Sequence, residues 1–75
     1  MQKLIIGGIY KHFKGHIYKV LCVGKDADNL SEKVIYQNTE DEKIWIRDKE
    51  EFLSPVDHEK YPNITQKYRF ELQNK

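Results

Sequence analysis

The groups in this chain that could do chemistry are three histidines, one cysteine and a scatter of carboxylates. A zinc site takes imidazole and thiolate ligands in sets of three or four. Here the set would come from His12, His16, Cys22 and His58. The H-x-x-x-H spacing of His12 and His16 would align two imidazoles on a helix face. The surrounding residues, Tyr10-Lys-His-Phe-Lys-Gly-His-Ile-Tyr18, instead read as a β-hairpin turning at Lys14-Gly15, which sets the two rings on either side of a turn. Cys22 falls in the second strand with the core residues, away from any helix N-terminus or base that would form a thiolate, and reads as a small buried hydrophobe. The acids Glu40-Asp-Glu42 and Asp48-Lys-Glu-Glu51 sit in turns, whereas acid–base catalysis needs a carboxylate held in a cleft. A glycine-rich phosphate loop, a nucleophile elbow and a CxxC pair are all missing. No catalytic residue, metal or cofactor is expected.

Aromatic and basic residues give a stronger signal. The stretch Gly8–Val20 holds aromatics on both sides of its turn and no acid. Taking Lys14-Gly15 as a two-residue turn pairs Ile9 with Val20, Lys11 with Tyr18 and Phe13 with His16. One face then carries Ile9, Phe13, Tyr18, Val20 and Cys22, a good core face. The other carries Tyr10, His12, Ile17, Lys19, Leu21 and Val23, of which Tyr10 and His12 stay exposed near the turn. A one-residue bulge would exchange these faces. Further along, Ile44-Trp45-Ile46-Arg47 alternates. With the isoleucines inward, Trp45 and Arg47 share an outer face, joined by Tyr36 if Val34 and Tyr36 also point outward. The reverse makes Trp45 a core residue.

The elements that must position these residues are short and β-rich. Apolar residues are mostly Ile, Val, Tyr and Phe in brief runs, and nowhere recur with helical spacing. Strands are expected at about 8–13, 17–25, 32–38 and 43–47. Between them lie turns at Lys14-Gly15, Asp26–Ser31 and Thr39–Glu42, where Asp and Asn bond their own backbone. Asp48 with Glu51 three residues on resembles a capping box, and Pro55 stops a helix, so a single helical turn ends near Phe52 or Leu53, with Phe52 plugging the core. Residues 57–65 form a loop, Gln66–Leu72 a last strand, and Gln73-Asn-Lys75 a frayed tail. The reading is a mainly β fold: a small five-stranded antiparallel SH3-like barrel with one helical turn, or alternatively an OB-like barrel.

At 75 residues the chain is read as one domain over 1–75. A domain this small buries only roughly 60% of its unfolded surface, so its core is marginal. A single cysteine excludes an internal disulfide and suits a reducing compartment, hence a soluble, cytoplasmic protein. The apolar run Leu4-Ile-Ile6 is too short for a signal peptide or a membrane span. The net charge of +1 hides an uneven distribution. Residues 1–25 carry five lysines and no acid, 26–59 eleven acids against four bases, and 60–75 four bases and one acid. Basic ends around an acidic middle can signal a polyanion partner.

Several motifs are similar to those of a known family. Gly8-x-Tyr10-x-His12-Phe13-Lys14-Gly15-x-x-Tyr18-x-Val20 resembles the opening motif of a small bacterial family catalogued as Domain of Unknown Function 1653. Val34-Ile-Tyr36, Trp45-Ile-Arg47, Phe52 with Val56, and Arg69-Phe70 resemble its later segments in the same order. The chain departs from the pattern at Lys25–Leu30, at Asp48 where the family has proline, and at Asn38–Asp41. The resemblance implies a compact β-rich domain and supplies no reaction.

The functional expectation is therefore a binding or adaptor module for a protein or peptide, with homodimerisation among the options. Its surface would draw on Tyr10, His12, Lys14, Tyr36, Trp45 and Arg47. An alternative is single-stranded nucleic acid held by adjacent first and last strands through Lys11, Lys14, Lys67 and Arg69, with Tyr68 or Phe70 as a stacking platform. A third is a small enzyme or accessory subunit, which the absent motifs disfavour.

Overall fold

The computed structural model describes residues 3–73. Asn74 and Lys75, read as part of a frayed tail, lie outside the described residues. The elements run β1 (Ile9–His12), β2 (Ile17–Lys25), β3 (Glu32–Asn38), β4 (Ile44–Asp48), α1 (Lys49–Phe52) and β5 (Phe70–Leu72). They form one antiparallel sheet in the order β4-β3-β2-β1-β5. The first and last strands are neighbours, as expected. The mainly β fold with five strands and one helical turn is as read, but the sheet does not close into a barrel: β4 and β5 are its two edges. Of the expected strand 66–72 only the last three residues are strand, and upstream a single bridge joins Tyr68 to Pro55.

Register decides which side chains face the core. Lys11 pairs with Ile17 and Tyr10 with Tyr18. His12 and His16 close the hairpin, the His12 amide donating to the His16 carbonyl at 2.8 Å. The loop is thus three residues, Phe13-Lys14-Gly15, with Gly15 at a φ of +105° that glycine alone adopts without strain. The extra loop residue reverses β1 relative to the two-residue reading. Tyr10 is wholly buried rather than exposed. Its ring needs a partner for its hydroxyl, which accepts from the Ile5 amide at 2.9 Å and donates to the Lys3 carbonyl at 3.2 Å. A second irregularity follows in β2. The ladder to β3 shifts between Val20 and Cys22, so a bulge at Leu21 turns Cys22 to the opposite face from Val20. Cys22 is exposed, and its reading as a core thiol is corrected.

The core is built from Tyr10, Val20, Val34, Tyr36, Phe52 and Phe70. Phe52 and Phe70 stack with ring centres 4.1 Å apart and planes within 9°. Tyr10 meets Phe52 edge-on at 5.3 Å, and Tyr36 meets Phe52 at 5.2 Å and Phe70 at 5.4 Å. Helix α1 exists to deliver Phe52 into this stack. Asp48 precedes it without capping it: its carboxylate takes the Lys33 ammonium instead, so the capping box does not form. Where the N-terminal segment, β1 and β5 meet, Gly8 has no room for a side chain. A Cβ there would stand 2.9 Å from the Ile5 carbonyl oxygen.

Candidate functional site

One end of the core-facing side of the sheet, beside the β1–β2 loop, gathers rings and cations. His12 is half-buried. It stacks on Phe13 at 4.5 Å and meets Phe70 at 4.8 Å and Tyr18 at 6.4 Å. Its Nδ1 accepts the Lys14 amide at 3.1 Å. The proton of the neutral ring therefore resides on Nε2, which has no hydrogen-bond partner among the described residues. Burial, followed by the positive charges of Arg47, Arg69, Lys14 and His16, lowers the His12 pKa from 6.5 to about 4.

The cations come from separate elements. Arg47, on β4, donates from Nε to the Tyr36 hydroxyl at 3.2 Å, and its guanidinium carbon lies 5.9 Å from the centre of the Phe70 ring. Its Nη1 reaches the well-exposed Glu51 carboxylate at 3.8 Å, a loose contact. Arg69 precedes Phe70 in the chain. Its carbonyl accepts the Phe13 amide at 3.0 Å, and its Nε donates to Ser54 Oγ at 3.2 Å. Lys14 Nζ lies 5.9 Å from the centre of the Phe13 ring and 5.7 Å from that of Tyr61. Phe13 and Tyr61 are 4.9 Å apart. The sequence offered no pattern for Tyr61, but an aromatic in the mostly polar loop 57–65 requires a ring or a stem to cover it.

Of the six residues proposed from sequence as a partner surface, His12, Lys14, Trp45 and Arg47 lie on the core-facing side with surface to offer. Tyr10 and Tyr36 do not: both are buried. Tyr36 pairs with Trp45, and Val34 with Arg47. Partners directly across a ladder share a face. Trp45 and Arg47 do lie with Tyr36, but on its inner side, and the isoleucines occupy the other face. At the rim of the sheet neither face is fully covered. Ile44, Trp45 and Ile46 are 58%, 48% and 67% exposed.

The basic residues of the first and last strands divide. Lys14 and Arg69 both bear on His12. Lys11 pairs with Glu71 in the β1–β5 ladder, one residue from His12 and so on the other face. Lys67 lies 5.3 Å from the Tyr68 ring, and both line an open groove of about 940 Å³ with Glu32, Lys49, Leu53 and Pro55. Phe70 is 1% exposed and cannot serve as a stacking platform. The groove carries acids and lysines in mixture, and it adjoins the His12 cluster at Ser54, whose hydroxyl accepts from Arg69. Among the described residues no set of three His, Cys, Asp or Glu is grouped to hold a metal ion, and no helix is long and apolar enough to cross a membrane.

β4 is an edge of a particular kind. Among the described residues no strand lies on its outer side. The Asn38 amide donates to the Lys43 carbonyl at 2.9 Å, and bonded pairs alternate along an antiparallel ladder. The peptide groups of Trp45 and Arg47 therefore bond to β3, and those of Ile44 and Ile46 point to the open edge. Edge strands are ordinarily protected by proline, an inward charge or a covering loop. Residues 44–46 carry none of the first two, and Lys43 and Arg47 only flank them.

No curated protein and no solved structure matches this chain. A family model described as "Protein of unknown function (DUF1653)" matches residues 8–72, a span that takes in the hairpin, the aromatic core and both edge strands. This chain belongs to the DUF1653 family.

Proposed function

We propose that this chain is a binding module, acting without catalysis, that takes an extended segment of a protein partner onto the open edge of β4. The observation that carries this reading is the coincidence of an unpaired strand edge with three consecutive exposed apolar residues, Ile44, Trp45 and Ile46. Strand addition draws affinity from main-chain hydrogen bonds and specificity from alternate side chains. Here the outward peptide groups of Ile44 and Ile46 supply the bonds. The partner's side chains alternate between two surfaces: Trp45 and Arg47 on one face, Ile44 and Ile46 on the other.

The ladder parity supplies a clean test. Ile46→Pro removes an amide that faces the open edge and leaves the β3 bonds of Trp45 and Arg47 intact. A library of displayed random peptides is selected on the wild-type chain, and the selected peptides are measured against both proteins. Strand addition predicts a melting temperature close to wild type for Ile46→Pro and binding weakened by roughly tenfold or more, a loss of about 1.4 kcal/mol. Equal binding by the two proteins refutes the reading, as does a library that yields no binder. Sedimentation of the wild type at rising concentration identifies the other occupant: a dimer that Ile46→Pro reduces to monomer makes the partner a second copy of this chain.

A further inference from the structure

We propose that His12, Lys14, Arg47 and Arg69 form an oxyanion-binding site beside the β1–β2 loop, one that takes a phosphate or carboxylate group. This goes beyond strand addition at β4, because it needs a small anion and no extended chain. Three independent observations converge on it.

The first is placement. His12 and Arg47 come from strands at different positions in the sheet, yet both pack on the Phe70 ring, at 4.8 Å and 5.9 Å. Arg69 adjoins that ring in the chain and is tied through its carbonyl to Phe13, the neighbour of His12. Lys14 is held by its own amide on His12 Nδ1 and by its ammonium over Phe13 and Tyr61.

The second is composition. Beside burial, the charges that lower the His12 pKa are Arg47 from β4, Arg69 from the approach to β5, and Lys14 and His16 from the hairpin. The acid in contact with this group is Glu51, 3.8 Å from Arg47 and well exposed to solvent. Like charges placed together repel unless something between them is negative, so an anion relieves the arrangement. Arginine pairs match the planar fork of a carboxylate or phosphate.

The third is the donor. His12 Nδ1 is already taken as an acceptor, which leaves Nε2–H as a donor without a partner among the described residues. The ring is neutral near neutral pH. It thus offers a hydrogen bond to an anion without adding a fourth full charge. The aromatic walls, Phe13, Tyr18 and Phe70, exclude water from one side and strengthen that bond.

The test uses the full chain and nuclear magnetic resonance of the His12 imidazole, at constant ionic strength set by sodium chloride. Inorganic phosphate is titrated in one arm and N-acetylglutamate in the other. A saturable shift of the His12 and Phe13 signals is expected, together with an apparent His12 pKa that rises at saturation: burial still lowers it, but a bound anion offsets the part of the depression that comes from the cations. Saturation by phosphate alone assigns a phosphorylated ligand, by N-acetylglutamate alone a carboxylate. Arg69→Gln, which leaves the β ladders untouched, should weaken binding by roughly tenfold. His12 signals that do not move with either anion up to tens of millimolar overturn the proposal, and so does an Arg69→Gln chain that binds as well as wild type. A single-stranded oligonucleotide that displaces phosphate, with affinity falling steeply as salt rises, makes the anion's source a nucleic acid backbone. Ile46→Pro should leave phosphate binding unchanged, so failure at β4 and failure at this site are read separately.

Discussion

Trp45→Ala measures how far the core extends under the edge of the sheet. The indole shares a face with buried Tyr36 but is 48% exposed. A tryptophan buries at most about 250 Å² when fully enclosed. Half of that is roughly 125 Å², which at ~25 cal/mol/Å² amounts to about 3 kcal/mol. A compact denatured chain already hides part of this area, lowering it by about 10–40% to ~2 kcal/mol. A fully buried aromatic replaced by alanine costs about 3–5 kcal/mol, enough to unfold a small domain. A surface ring costs within about 0.5 kcal/mol. The structure thus predicts an intermediate outcome: Trp45→Ala folds, with its urea midpoint and melting temperature clearly reduced. For a domain of this size ~2 kcal/mol corresponds to roughly 8–16 °C. Since Trp45 is the only tryptophan, the variant is followed by circular dichroism, and Phe70→Ala, at a site 1% exposed, provides the fully buried reference. In the wild type, acrylamide should quench Trp45 to about half the extent seen in urea. A variant that is unfolded in water would show that the indole is core. One with an unchanged melting temperature would show that Trp45 gains nothing from Tyr36 and stands wholly in solvent. Either result refutes the half-covered edge.

Two further outcomes concern His12 and Cys22. The His12 pKa is depressed to about 4 against 6.5 in the unfolded chain, so the unfolded state takes up the proton first and stability is lost as pH falls from about 6.5 toward 4. For a partly solvated ring this amounts to about 1–2 kcal/mol, read as a fall in the urea midpoint across that window. His12→Asn, which keeps an acceptor for the Lys14 amide, should flatten the profile there, and an unaltered profile would remove His12 as its cause. Cys22 is exposed on the outer face, so an uncharged maleimide should label it in the native protein at a rate close to that in urea. Protection of the thiol in the folded state would place the β2 bulge elsewhere than Leu21.

Strand positions were legible because each run of Ile, Val, Tyr and Phe is bounded by residues with their own turn chemistry. β2 and β3 fall where they were read, and β4 is displaced by one residue. The 26–31 turn closes through side-chain oxygens, Asp26 accepting the Asp28 amide and Asn29 the Ser31 amide. Asn38 does the same for Glu40 and Asp41 in the next turn. Phe52 was legible too, since a helical turn stopped by proline has few apolar residues to bury. The last strand was overextended because Tyr68, Phe70 and Leu72 alternate with Lys67, Arg69 and Glu71, while the residues before Phe70 make their bonds to loops, as with the Val56 amide on the Lys67 carbonyl.

Facing was harder to read than position, and the reason is the period of a strand. With a repeat of two, a single extra residue in a loop or a ladder exchanges inside for outside. Lys14-Gly15 is compatible with a two-residue turn and with the end of a three-residue loop, since both place glycine where φ is positive. Local residues do not choose between them. The choice falls to Tyr10, whose ring fills the centre of the core and whose hydroxyl pins the N-terminal segment. Ile9 in that place would leave the Ile5 amide without this partner. The bulge at Leu21 then lets Val20 and Val23, three residues apart on β2, both face the side of Tyr36 and Val34, their partners on β3. The first of these irregularities also creates the candidate site. The three-residue loop turns His12 toward Phe70 and brings Lys14 over Phe13, so that a neutral imidazole meets two arginines from distant parts of the chain. A regular hairpin would have sent His12 to the opposite face of the sheet, away from Arg47. The same departure from regularity that hides the core pattern in the sequence is what brings His12, Lys14 and Arg47 to one side of the sheet.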